Sequence, residues 1–203
     1  MPTACHRDAG PRNPDHEGPG DCRSLAATQQ ERIDLFQPET VFWWSRYETQ
    51  QRWVDGRLVG PDADEFWQVY ERELASTVGR LTAGGAHLVI GLTERPGSVL
   101  VDRCTPEHCY KIHAQMLDHD EYRRRRNEIV TRLAEQDDRV RTLDMDPLLC
   151  LDPEPTVPGR PAACNDVDVD GPYRWDGTHV DIRVYGDRVA QRVLSGLLRA
   201  ADR

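Results

Sequence analysis

Three short apolar runs, separated by longer segments with helical periodicity, constrain the fold of this chain most strongly. They are Val41–Trp44, His87–Leu92 and Val140–Asp144, and each is predicted to be a strand. The run His87–Leu92 lacks the alternation of apolar and polar residues that marks a sheet with one solvated face, and this favours a parallel sheet covered on both faces. Amphipathic helices are predicted over 25–35, 61–81, 118–136 and 185–201. Alternating strands and helices predict an α/β fold with a parallel sheet, in which Trp43 and Trp44 are core residues.

The chain is expected to form one domain after an irregular N-terminal segment. Residues 1–23 are rich in Pro, Gly, Asp and His and show no periodicity. Residues 24–203 carry all the predicted strands and helices. A chain of 203 residues with 38% hydrophobic content can bury a substantial core.

Charge and hydropathy argue against a nucleic-acid-binding protein and against a membrane-spanning segment in this sequence. The net charge of −9 argues against nucleic-acid binding, because phosphate contacts require a basic surface. The sequence has no run of about 18 apolar residues, so no transmembrane segment is predicted within it. The first residues lack the apolar core of a signal peptide.

The six cysteines fall into three local pairs, which favours disulfides and an oxidising compartment. The pairs are Cys5 with Cys22, Cys104 with Cys109, and Cys150 with Cys164. Free thiols are one alternative. Metal binding is another, but Cys104 and Cys109 with His108 and His113 only loosely match a zinc site. We expect no metal and no cofactor. An exported domain without a signal peptide is explained if the chain is the C-terminal part of a longer protein.

The most informative site candidate is the segment Trp175-Asp176-Gly177-Thr178-His179, directly before the last helix. A histidine can take and return a proton near neutral pH. A carboxylate beside it fixes its tautomer and stabilises the imidazolium that forms. The alternative is that Asp176 merely caps a turn and His179 lies on the surface.

This segment, followed by Gly186 and a helix, resembles the last conserved block of the SGNH, or GDSL-like, hydrolase superfamily. The closer match is to the SGNH-type domain fused behind bacterial membrane acyltransferases that modify cell-surface glycans. Other segments agree in order, namely 38–48, 54–56, 84–89, 124–127 and 143–150. The resemblance implies a three-layer α/β/α sandwich of the flavodoxin-like SGNH type.

The resemblance also implies a nucleophilic serine in a Gly-Asp-Ser block on the first strand. The chain has Gly20-Asp21 followed by Cys22, without a preceding apolar strand. A nucleophile elbow needs a strand that leads into a sharp turn, which exposes the nucleophilic side chain. We therefore expect the first strand and the nucleophile to be missing, with Cys22 as a weaker alternative. The remaining serines are no better placed: Ser24, Ser45, Ser76, Ser98 and Ser195.

Four further residues are oxyanion or substrate-contact candidates, from the loop after the first apolar run: Ser45, Arg46, Tyr47 and Trp53. The run Arg123–Arg126 is expected on the solvated face of a helix. The resemblance implies an extracytoplasmic (periplasmic or cell-surface) ester hydrolase or O-acyltransferase domain acting on acyl esters of surface glycans, inactive as this chain. The alternative is a non-catalytic glycan-binding or interaction remnant of the same fold.

Overall fold

The structure is a computed structural model that describes residues 22–45, 48–153, 157–181 and 183–201, without the side chains of 22–26, 53, 200 and 201. The helices in these residues are α1 (Cys22–Phe36), α2 (Asp64–Leu81), α3 (Ser98–Arg103), α4 (Pro106–Gln136), α5 (Asp146–Leu149) and α6 (Gly186–Ala201). The strands are β1 (Thr40–Trp43), β2 (Arg52–Val54), β3 (Arg57–Val59), β4 (His87–Gly91), β5 (Val140–Leu143), β6 (Asp152–Pro153), β7 (Cys164–Asn165), β8 (Val167–Asp168) and β9 (Gly171–Pro172).

The predicted parallel sheet is confirmed, with the strand order β1-β4-β5. Phe42 of β1 is in register with Val89 of β4. On the other side of β4, the Leu88 amide donates to the Arg139 carbonyl at 2.8 Å, and the Leu92 amide donates to the Leu143 carbonyl at 2.9 Å. These contacts advance in the same direction along both strands. The chain therefore has an α/β fold.

The burial of the strands differs in part from the prediction. β4 carries three fully buried residues in succession, Leu88, Val89 and Ile90, as an unalternating run predicts. Trp43 and Trp44 were predicted to be core residues, but both are only half-buried. The reason is that β4 occupies the middle of the described sheet, whereas β1 has a described neighbour on one side only.

Contacts between residues divide the chain into two compact units. Among the described residues, the first comprises 22–90 and 132–141 and the second comprises 91–131 and 142–201. In the first unit, α2 presents one apolar face to the core. Five of the six residues predicted for this face from their spacing are buried: Phe66, Tyr70, Leu74, Val78 and Leu81. The sixth, Val69, is half-buried, and Trp67 is buried although it was not predicted. β2 and β3 form a hairpin whose turn is Asp55-Gly56, a dipeptide typical of such turns, and both residues have positive φ.

The second unit contains helix in a segment for which no helix was predicted from the sequence. Residues 95–116 include α3 and the first turns of α4. A non-helical conformation at Cys109 interrupts α4, and a disulfide joins Cys109 to Cys104. The segment packs through a small cluster that includes Val101 and Met116. A crosslink and a few contacts therefore stabilise this helix in place of one continuous apolar face, so no periodicity revealed it.

The last helix, predicted over 185–201, is α6, and it approaches β5 and α5 closely. A Cβ at Gly196 would lie 3.0 Å from Leu143 Cδ1 and 3.3 Å from Leu148 Cδ1. Across the described residues, no helix combines the length and the apolar character that a membrane span requires.

Candidate active site

The Asp176–His179 segment lies in a loop that connects β9 to α6, and short backbone contacts close its base. Arg174 and Val180 form an isolated antiparallel bridge. The Asp181 amide donates to the Tyr173 carbonyl at 3.0 Å, and the Gly177 amide donates to the Arg174 carbonyl at 2.8 Å. The loop is therefore a tight hairpin-like turn with a defined backbone path.

Asp176 and His179 form a direct pair within this loop. His179 Nδ1 lies 2.7 Å from Asp176 Oδ2. Asp176 Oδ1 accepts three further hydrogen bonds, from the Thr178 amide at 2.8 Å, the Thr178 hydroxyl at 2.9 Å and the His179 amide at 2.7 Å. Asp176 therefore caps the turn and also contacts the imidazole.

These hydrogen bonds determine the charge of Asp176. Burial by itself raises the pKa of the Asp176 carboxyl, but the hydrogen bonds from His179 and Thr178 outweigh it and hold that pKa well below its ordinary value. The carboxylate is therefore ionised and can only accept hydrogen bonds. Nδ1 of His179 therefore carries the hydrogen that is donated to Asp176, and in the neutral imidazole the lone pair is on Nε2. The His179 side chain is 63% exposed, so solvent and ligands can approach it.

Gly177 is required at its position by conformation and by space. Its φ of +82° lies in the left-handed region. A Cβ there would lie 2.7 Å from the Leu100 nitrogen and 3.0 Å from its Cα. The Gly97 amide also donates to the Gly177 carbonyl at 2.8 Å. The loop therefore packs its glycine directly against the start of α3.

A buried arginine anchors the base of the loop. The Arg174 side chain is 1% exposed, and its Nε donates to Asp166 Oδ2 at 2.8 Å. One terminal nitrogen donates to the Arg95 carbonyl at 2.6 Å, and the other lies 2.7 Å from Cys164 Sγ. Cys164 is joined to Cys150 by a disulfide with a Cα–Cα distance of 5.3 Å. Residue 174 thereby contacts two segments of the second unit directly, at 95 and at 164–166, and is linked to a third through the disulfide to Cys150.

The segment after β4 is also held by polar side chains. The Thr93 amide donates to Asn127 Oδ1, and Asn127 Nδ2 donates back to the Thr93 carbonyl, both at 2.9 Å. Asp146 accepts from the Arg95 amide and from Arg95 Nε, each at 2.8 Å. α4 and α5 thus fix the path of residues 93–95 through amide and ionic contacts.

The expectation that Arg123–Arg126 forms a solvated face is wrong for Arg126 and for Arg123, whose side chain is 12% exposed. Arg126 is fully buried and donates to the Gly91 carbonyl at 3.0 Å. Arg124, in contrast, has a 61% exposed side chain. Four consecutive residues of a helix point in different directions. A run of four arginines therefore does not show which of them, here Arg126, faces the end of β4.

The other predicted site residues are placed as follows. Ser45 is buried in the first unit. Arg46, Tyr47 and the side chain of Trp53 lie outside the described residues, so the oxyanion and substrate assignments stay predictions. Cys5 and the Cys22 side chain lie outside them as well. Two of the three expected disulfides, Cys104–Cys109 and Cys150–Cys164, are present.

No serine of the second unit is engaged with the imidazole. Ser98 is buried at the first residue of α3, next to Gly97, and Ser195 is exposed on α6. Neither makes a hydrogen bond to His179. Within the residues that can be described, no group of three His, Cys, Asp or Glu side chains is arranged to hold a metal ion.

Sequence reasoning missed Arg174, Asp166 and Asn127, which position the loops. An arginine and an aspartate eight residues apart in a polar loop look like surface residues, and nothing local marks them as buried. For Asn127 a signal was available, because segment 124–127 is one of those that resemble the SGNH family.

A cleft borders the loop on the side of Trp175. It has a volume of about 510 Å³, and its described lining consists of Trp175, Val180, Asp181 and Arg183. Trp175 and Val180 flank the Asp176–His179 segment in the chain. Trp175 is 60% exposed. The loop thus carries both the Asp–His pair and one wall of a cleft.

Two comparisons with known proteins bear on this arrangement. A search of curated proteins finds no match. The family model described as "SGNH domain (fused to AT3 domains)" matches residues 3–180, which include the Asp176–His179 segment. The chain belongs to this family of SGNH domains.

Proposed function

We propose that this chain is an SGNH-type domain of the ester hydrolase and O-acyltransferase class, acting on acyl esters of cell-surface glycans. In this proposal His179 is the general base and acid, and Asp176 orients it. The observation that carries the proposal is the contact of 2.7 Å between His179 Nδ1 and the ionised Asp176, which directs the opposite ring nitrogen, Nε2, away from Asp176 on an exposed ring.

The proposed chemistry uses the neutral imidazole, in which Nε2 is the proton acceptor. Nε2 accepts the proton of an attacking hydroxyl as its oxygen forms a bond to the acyl carbon. The imidazolium then returns that proton to the alkoxide that leaves when the ester bond breaks. A second cycle transfers the acyl group to water or to another hydroxyl. Asp176 lowers the energy of the imidazolium without taking its proton.

The nucleophile is the element that this sequence does not provide in the expected form. The printed chain contains no Gly-Asp-Ser, and neither Ser98 nor Ser195 contacts His179. The chain by itself is therefore proposed to be inactive, and the hydroxyl nucleophile has to come from a Gly-Asp-Ser strand that pairs with this domain.

The test restores that strand. The chain is extended at its N-terminus with a Gly-Asp-Ser strand, and acetate release from an O-acetylated polysaccharide is measured. His179→Ala should abolish release, and Asp176→Asn should reduce it by about 10⁴-fold, because an asparagine favours the wrong tautomer. Unchanged release in either variant would reject the assigned roles.

An extracytoplasmic location is part of the proposal. The Cys104–Cys109 and Cys150–Cys164 disulfides are of the kind that persists in oxidising compartments. The family's fusion to AT3 domains adds a membrane acyltransferase as the natural partner. The proposed substrate is accordingly a hydroxyl-bearing or acylated glycan at the cell surface.

The exposed Trp175 favours a second candidate, a non-catalytic glycan-binding domain. An aromatic ring left in solvent at a cleft is typical of a binding surface. If the chain extended by the Gly-Asp-Ser strand is folded and binds sugar but releases no acetate, the binding function is correct and the catalytic one is not.

A further inference from the structure

The cleft beside the Asp–His loop has one flat apolar wall. Trp175 presents most of its indole to solvent, and Val180 adds a second apolar surface. One face of a pyranose ring carries axial C–H groups and is apolar. This face can stack on the exposed face of an indole ring. The backbone bridge between Arg174 and Val180 fixes the position of Val180 and of the residue next to Trp175.

The polar lining complements such a ring. Asp181 Oδ1 accepts from the Arg183 amide at 3.1 Å and faces Arg183 Nε at 3.5 Å. Among the described residues, Asp181 Oδ2 and both terminal nitrogens of Arg183 have no protein partner. A carboxylate oxygen and a guanidinium fork can together bind neighbouring hydroxyls, one by accepting and the other by donating hydrogen bonds.

The size of the cleft agrees with this chemistry, since about 510 Å³ is within the range of roughly 300–1,000 Å³ found for small-molecule sites. We propose that this cleft is a sugar subsite, in which one pyranose ring stacks on Trp175 and places its hydroxyls on Asp181 and Arg183. The subsite rests on the proposed function only for its role beside the Asp176–His179 pair. Binding itself requires neither the pair nor a nucleophile.

Binding can be measured on the intact chain with simple probes. The methyl glycosides of glucose, galactose, mannose and N-acetylglucosamine are added at millimolar concentration. Saturation transfer from the protein to the ring C–H protons is then recorded by NMR. We expect at least one glycoside to bind and to shift the indole N–H signal of Trp175. Glycerol has hydroxyls but no ring face, so it should show neither effect.

Substitutions identify the wall that binds. Trp175→Ala should weaken binding about tenfold or more, and Trp175→Phe should restore most of it, because the flat face is retained. Tyr110→Ala is the matched control, since Tyr110 is similarly exposed but lies on α4. Asp181→Asn should also weaken binding, because an amide loses one acceptor.

The outcomes separate this proposal from the catalytic one. No saturation transfer with any of the four glycosides, or equal transfer in Trp175→Ala and the native chain, would overturn the subsite. Retained binding in His179→Ala is expected, since that residue does not line the cleft. If sugar binds but the strand-extended chain releases no acetate, the catalytic proposal fails while the subsite remains.

Discussion

Asp176 Oδ2 lies 2.7 Å from Nδ1 of His179, and Asp176 Oδ1 is occupied by hydrogen bonds from Thr178 and from the His179 amide. One carboxylate thus folds the turn with one oxygen and orients the imidazole with the other. Local structure and the candidate chemistry depend on the same side chain, which makes the site sensitive to changes in the loop.

The isolated chain should not hydrolyse simple acyl esters. A histidine and an aspartate without a nucleophile have no covalent route, and loss of a triad member removes several orders of magnitude in rate. The measurement is the turnover of p-nitrophenyl acetate by the native chain and by His179→Ala. Clear turnover that His179→Ala abolishes would contradict the prediction and would make Cys22 or a serine the nucleophile.

Asp176→Asn should change the tautomer of His179. In the native chain the ionised carboxylate keeps the hydrogen on Nδ1, whereas an amide can also donate to that nitrogen. The ¹⁵N chemical shifts of the two ring nitrogens at neutral pH report the tautomer directly. Thr178→Val is a useful comparison, because it removes a hydroxyl from Asp176 and leaves the charge. Identical ring shifts in the native chain and Asp176→Asn would refute this account.

Asp176 should also make stability depend on pH. Its folded-state pKa is depressed, so its stabilising contribution is complete above the unfolded value of about 3.9 and is lost as the pH falls toward the folded value. The difference in melting temperature between the native chain and Asp176→Asn should therefore shrink between about pH 6 and about pH 2. A difference that stays constant or grows over that range would show that the charge of Asp176 does not stabilise the loop.

Gly177→Ala should destabilise the chain more than Gly56→Ala. Both glycines have positive φ, +82° and +78°, so both variants carry the cost of about 1–2 kcal/mol for a left-handed residue. A Cβ at residue 56 meets nothing within 4 Å, whereas at residue 177 it meets the backbone of Leu100. The collision should add about 1–3 kcal/mol. Denaturant unfolding of both variants measures the difference, and equal losses would mean that the Leu100 contact is unimportant.

Arg174→Met should cost about 3–5 kcal/mol of stability, because it leaves the carboxylate of Asp166 buried without its partner. The control is Arg183→Met, which removes an arginine whose side chain is 88% exposed and whose ion pair with Asp181 is long. That substitution should change the free energy of unfolding by less than about 1 kcal/mol. Similar losses in the two variants would contradict the assignment of Arg174 as the anchor of the loop.

Replacing both Cys150 and Cys164 by alanine should lower stability by about 3 kcal/mol, according to the chain-entropy model for a loop of this length. The Cys104–Cys109 disulfide closes a shorter loop, so replacing both of its cysteines by alanine should cost about 2 kcal/mol. Only the first pair adjoins Arg174, so only its removal should disturb the His179 ring shifts. If removal of the Cys104–Cys109 pair disturbs those shifts equally, the proposed coupling is wrong.

The sequence alone determined the elements that depend on local pattern. The strand β4, the apolar face of α2 and the Asp55-Gly56 turn follow from periodicity and turn chemistry, which act between residues close in the chain. The segment from Trp175 to His179 was identifiable for the same reason, because both members of the pair lie within one turn. The local pairing of Cys150 with Cys164 belongs to this class as well.

Which polar side chains are buried depends on contacts between segments that are distant in the chain. The buried Arg126 and Arg174 are the same residue type as the exposed Arg124 and Arg183, so residue type does not distinguish them. Their burial depends on hydrogen-bond acceptors elsewhere in the chain, such as the Gly91 carbonyl for Arg126. Likewise, Gly177 is indispensable because Leu100 packs against it, a contact between residues 77 positions apart in the printed sequence. Local sequence specifies a turn through its own hydrogen bonds, whereas burial and close approach depend on which distant segments fold against it.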